Sequence, residues 1–144
     1  MSDTISTLET LAEISRDGEA GFKAAAGAVK NPSLGTTFTS AATRCSAGAV
    51  EIESEIRKLG GTPSGSGSLT GALHRAWTDM KAAITGGDDK AILAECERGE
   101  DVAKAAYEKA LEENLPADVA ALVRRQYQGV KENHDTIKKL RDAA

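Results

Sequence analysis

Two acids and a histidine carry most of the chemistry this sequence offers: Glu19, Glu100 and His134. Carboxylate and imidazole are the side chains that hold Fe, Mn or Zn, and in helical bundles they do so from inward-facing positions. Each of the three falls on the apolar stripe of a long amphipathic segment. An ionised group there is costly unless it meets a cation, a metal or several hydrogen-bond donors. Counting from the turns sets their depth. Glu19 precedes the Asn31-Pro32 turn by 12 residues, which puts Arg44 and Cys45 across from it, and Glu100 precedes Leu115 by 15, which puts Lys131 to His134 across from it. At a rise of about 1.5 Å per residue, a two-residue error is about 3 Å, so the three groups are expected to share one level.

Carboxylate-bridged dimetal bundles take one Glu from each of two helices and a Glu-x-x-His pair from each of the other two. Here the residue three before His134 is Lys131, and the second helix reads Ala41-Ala42-Thr43-Arg44-Cys45, so three of the six ligands remain. Two divalent ions need anionic ligands around them, and Arg44 carries the wrong sign. The expected centre is therefore a buried network in which the Arg44 guanidinium bridges Glu19 and Glu100. The alternative is one divalent ion, Fe, Mn or Zn, held by Glu19, Glu100 and His134. Gly18 and Gly99 stand beside the two acids, which suggests close backbone approach at both. Glu97 falls on another face with Asp101, Lys104 and Glu108 and is assigned to solvent. No nucleophile motif, phosphate-binding glycine loop or metal-finger spacing is present, and no catalytic residue is assigned.

The elements that must position these groups are helices. The first is expected over about 6–30, opened by Ser6 and Glu9 at capping-box spacing, with inner residues Leu8, Leu11, Ser15, Glu19, Phe22 and Ala26. Asn31-Pro32 turns the chain into a second helix, about 33–59, whose inner stripe runs from Leu34 through Phe38, Ala41, Cys45 and Gly48 to Ile56. The middle of that stripe is small, so a neighbouring backbone can come close. Gly60-Gly61 stops the helix, and a Gly/Ser-alternating link runs from Thr62 to Ser68. A shorter helix is expected over about 69–85, with Trp77 and Met80 on its stripe and His74 beside it. After Gly86-Gly87, Asp88 caps a third long helix, about 89–114, with Leu93, Cys96, Glu100, Ala103 and Tyr107 inward. Pro116 sits in the first turn of the last helix, about 116–142, with Val119, Val123, Tyr127, Val130, His134 and Ile137 inward. Hairpin, long crossover with a short extra helix, hairpin: this is an all-α, ferritin-like four-helix bundle in one domain, 1–144.

Composition agrees. The chain is 40% hydrophobic, 28% charged and 3% aromatic, as an alanine-rich helical protein would be. A net charge of -4, with no Lys/Arg cluster flanked by aromatics, argues against nucleic acid. No apolar run approaches the roughly 20 residues needed to cross a bilayer. The first residues lack the basic and apolar regions of a signal peptide, so no membrane partner and a cytoplasmic location are expected. Cys45 and Cys96 lie on apolar faces without metal or disulfide spacing and are expected as reduced core thiols.

Four segments, Asp17-Gly18-Glu19-Ala20-Gly21-Phe22, Gly71-Ala72-Leu73-His74-Arg75-Ala76-Trp77, Thr85-Gly86-Gly87-Asp88-Asp89 and Glu97-Arg98-Gly99-Glu100-Asp101, resemble the DUF2383 proteins. These are also called PA2169-family four-helix-bundle proteins. The resemblance covers about residues 5–142 and implies a ferritin-like fold in a bacterial protein without an assigned activity. It brings no catalytic residues. The expected function is that of a non-enzymatic, stress-associated or interaction protein, capable of self-association, with a degenerate dimetal centre and no cofactor. A metal-binding or redox protein retaining one ion is the alternative.

Overall fold

The computed structural model describes residues 2–63, 80–86 and 88–144, all-helical apart from turns. Four long helices are present: α1 (Ser2–Ala28), α2 (Pro32–Lys58), α3 (Asp89–Leu111) and α4 (Ala117–Ala143). Residues 80–86 are helical too, where the end of the extra crossover helix is expected; the rest of that helix, with His74 and Trp77, lies outside the described residues. None of the described helices is long and apolar enough to cross a membrane.

Local chemistry sets most of the boundaries. Asn31 caps α2 by accepting from the Ser33 amide, with Pro32 opening the helix, and Asp88 caps α3 by accepting from the Lys90 amide. Gly60 ends α2 at a φ of 90°, and the Gly61 amide closes back on the Ile56 carbonyl. A Cβ costs roughly 1–2 kcal/mol in this left-handed region, so Gly60→Ala should lower stability by about that much in urea unfolding. Gly86→Ala should not, because its backbone is not left-handed and an added Cβ would meet nothing within 4 Å.

Three boundaries differ from expectation. α1 starts at Ser2, not near Ser6, and the capping box is not made: Ser6 lies inside the helix, its carbonyl accepting from the Thr10 hydroxyl. The extra turn forms because Thr4 is buried and Ile5 packs on the core near the end of α2. α3 stops at Leu111 instead of 114, with Glu112 at its end. Pro116 precedes α4 as its cap residue, at ψ 150°, instead of sitting inside the first turn.

Two apolar clusters fill the ends of the bundle. One joins Leu8, Leu11, Ile52, Ile56, Tyr107 and Val123; the other joins Phe22, Leu34, Phe38, Ile92, Leu93 and Ile137. Their membership gives the helix directions: α1 and α4 run from the first cluster to the second, and α2 and α3 run back. The single long crossover therefore spans the length of the bundle between two parallel helices, while each hairpin is antiparallel. α1 packs on α2 and α3, and α4 packs on α3 and, more lightly, on α2. At the crossover's far end the Asp89 carboxylate accepts from the Lys30 and Asn31 amides at 2.8 and 3.0 Å, tying the start of α3 to the α1–α2 turn.

Candidate functional site

Between the two apolar clusters lies a polar layer beside a cavity of about 310 Å³. Glu100, from the middle of α3, is its most buried charge at 3% exposure. The Arg44 guanidinium comes from α2 across the groove over Gly129, whose missing side chain leaves room for it, with Cδ 3.6 Å from where a Cβ would stand. Arg44 Nη2 lies 3.5 Å from Glu100 Oε1, an ion pair longer than a hydrogen bond of ordinary strength. Glu100 Oε2 and Arg44 Nη2 are both buried without a hydrogen bond. Burial pushes the Glu100 carboxyl up, against the pull of Arg44, of nearby Asn133 and, more weakly, of His134.

The structure brings Arg44 and Glu100 together as their level in the sequence implies. Glu19 does not join them. Its carboxylate, 16% exposed, takes Arg16 at 3.0 Å and Lys23 at 3.1 Å from its own helix, and Arg16 continues to Glu53 of α2 at 2.7 Å. Those two cations hold the Glu19 carboxyl below its ordinary range, Lys23 foremost. The bridge by Arg44 between Glu19 and Glu100 is therefore replaced by separate groups, Arg44 with Glu100 and Arg16 and Lys23 with Glu19. His134, 14% exposed, sits at the α3–α4 seam, its Nε2 paired with Asp101 and its Nδ1 3.4 Å from Asp135. The two aspartates lie on opposite edges of the ring, so they cannot share one ion with it. Among the described residues no group of three or more His, Cys, Asp or Glu is arranged to hold a metal ion. The donor set with Arg44 inside it does not fit a dimetal centre.

Glu97 is a second correction. It is 9% exposed, not solvated, because Arg141 from the last turn of α4 reaches back to it at 2.8 Å. Of the two glycines, Gly18 does mark close approach: a Cβ there would stand 3.0 Å from Cys45 Sγ. Gly99 does not, since nothing lies within 4 Å of its added Cβ. Cys45 and Cys96 are free and buried, and burial pushes both thiols up, Cys45 to about 12. Neither has the thiolate character of a reactive cysteine.

Gln126, Glu51 and Arg125, which periodicity did not single out, complete the layer with Ser15 and Tyr107, which it placed inward. Gln126 of α4 accepts from the Tyr107 hydroxyl at 2.8 Å and donates to the Gly48 carbonyl at 3.2 Å and to Glu51 at 3.1 Å. Ser15 lies 3.5 Å from the same hydroxyl, and Arg125 holds Glu51 from outside at 2.8 Å. This chain of contacts runs through all four helices. Burial pushes the Tyr107 hydroxyl up to about 12, so it stays a donor at any physiological pH. Asp17, next to Glu19, lines the cavity half-buried, and burial raises its carboxyl as well.

A search of curated proteins finds no match to the chain. A family model described as a domain of unknown function, DUF2383, matches residues 3–113. That span takes in α1 to α3, with Arg44, Glu100 and the Gly18 contact, and stops before α4 begins. The match covers most of the chain, and with the bundle and its polar layer it gives the one identity the comparisons support: this protein belongs to the DUF2383 family.

Proposed function

We propose that this protein is a non-enzymatic, ferritin-like bundle in which an Arg44–Glu100 charge pair stands where carboxylate-bridged bundles hold two metal ions. The observation that carries the reading is the guanidinium 3.5 Å from the most buried carboxylate, with the remaining candidate ligands engaged elsewhere. Fixed positive charge beside Glu100 repels a divalent ion that would need that same carboxylate. Among the described residues no nucleophile–base pair accompanies it: the thiols are buried and protonated, and His134 is tied between two aspartates. The role that fits is one of interaction or housekeeping, with the layer giving the bundle a fixed register.

Protein purified without a histidine tag should contain no stoichiometric Fe, Mn or Zn. Titration with Fe(II), Mn(II) or Zn(II) should give no saturable binding at one equivalent. Stoichiometric uptake that disappears in Glu100→Ala would overturn this reading in favour of a metal protein.

A further inference from the structure

The cavity beside the polar layer has the size and the lining of a ligand site. At about 310 Å³ it is roughly twice the ~150 Å³ engineered cavity that takes one benzene, so two fused rings with a short arm would fit. Its walls are mostly apolar, among them Ile14, Phe22, Met80, Ala103 and Val130. It reaches the surface between α2 and α4, the most lightly packed helix pair, where exposed Ala47 and Arg125 line it. Among the described residues its charges are unbalanced: four acids, Asp17, Glu51, Glu95 and Glu100, against Arg44 and Arg125. Glu51 is taken by Arg125 and Gln126, Glu95 by Arg98 and Glu100 by Arg44. Asp17 alone of the four has no hydrogen bond or ion pair among the described residues, although it is half-buried. Glu100, 3% exposed, adds an Oε2 that accepts nothing.

We propose that this cavity binds a small organic cation, a primary ammonium on an apolar body of about two rings, with Asp17 taking the charge. An apolar body is matched by the walls, and the ammonium supplies the countercharge that Asp17 lacks. An anion would face Asp17, and the two cations among the described lining residues, Arg44 and Arg125, are already ion-paired with Glu100 and Glu51. A bare metal ion would find, among the described residues, only the Asp17 carboxylate and one oxygen of the Arg44-paired Glu100, too few ligands for a divalent site. The site lies beyond the charge-pair reading above and does not depend on it.

The test uses the full, tag-free chain at pH 7 and three probes of nearly one shape: 1-naphthylmethylamine, 1-naphthalenemethanol and 1-naphthoate. Calorimetry should show the amine binding one to one, at least about tenfold tighter than the alcohol, with naphthoate weakest. Asp17→Asn should erase the amine's advantage and leave the alcohol unchanged. The variant should fold, because the carboxylate it removes bonds to nothing, and an unchanged thermal melt checks this. Absence of binding by all three probes, an amine no tighter than the alcohol, or an advantage that survives Asp17→Asn each overturns the proposal.

Discussion

Arg44→Met should lower stability by about 2–4 kcal/mol at pH 8, the cost of leaving a buried carboxylate without its cation. The lower part of the usual range is expected because Arg44 is 32% exposed, and Glu100 can escape the penalty by taking a proton. That escape fixes the pH dependence. Burial raises the folded Glu100 carboxyl above its ordinary 4.5, so the native state holds this proton more tightly than the unfolded chain. The cost of ionised Glu100 is absent below about 4.5 and grows as pH rises through the folded value. Without Arg44 the folded value moves further up and the cost at high pH increases. Urea unfolding should therefore show a deficit relative to the unmutated protein that is small near pH 4.5 and larger at pH 8. Adding Glu100→Met to Arg44→Met should recover most of the loss, because an apolar pair replaces a buried ionic one at little cost. Equal stability of Arg44→Met and the unmutated chain at pH 8 would show that the pair does not hold the centre.

The helices, their turns and the Arg44–Glu100 level were legible because they depend on spacing and on a few strong local signals. Asn31-Pro32, Gly60 and Asp88 each act within one turn of the chain, and counting residues from such a turn gives depth directly. Direction around the helix is harder to read. At 3.6 residues per turn, a stripe can step by three or by four, and two candidates compete at each turn. In α1 the step from Ser15 goes to Gly18, which faces Cys45, and not to Glu19; glycine has no side chain to mark the inner face. In α4 the same choice arises twice. Gln126 and Asn133 turn toward the centre, while Tyr127 binds Glu108 and His134 binds Asp101 at the seam. Apolar or metal-ligating character favours Tyr127 and His134, but Gln126 suits the interior here because the layer gives it partners, and Asn133 lies beside Glu100. Glu97 was misplaced for a different reason. Its cation, Arg141, lies 44 residues on in the chain, and no local pattern announces such a partner.

Gln126→Leu should be the second most costly change in the layer, at roughly 2–3 kcal/mol. The substitution keeps the volume but removes the acceptor of the buried Tyr107 hydroxyl and the donor to Gly48 and Glu51. Ser15, at 3.5 Å, is too distant to replace a 2.8 Å bond. Tyr107→Phe alone should cost less, about 1–2 kcal/mol, because the side-chain carbonyl of Gln126 that it strands is nearer the surface than the Tyr107 hydroxyl stranded by Gln126→Leu. The two changes together should cost less than their sum by at least about 1 kcal/mol, since each removes the group that the other strands. Equilibrium unfolding of the four variants of this cycle measures that coupling. Additivity within about 0.5 kcal/mol would mean that the hydroxyl and the amide do not depend on one another. The register of α4 against α2 would then rest on the apolar clusters at the two ends, with the polar layer merely tolerated between them.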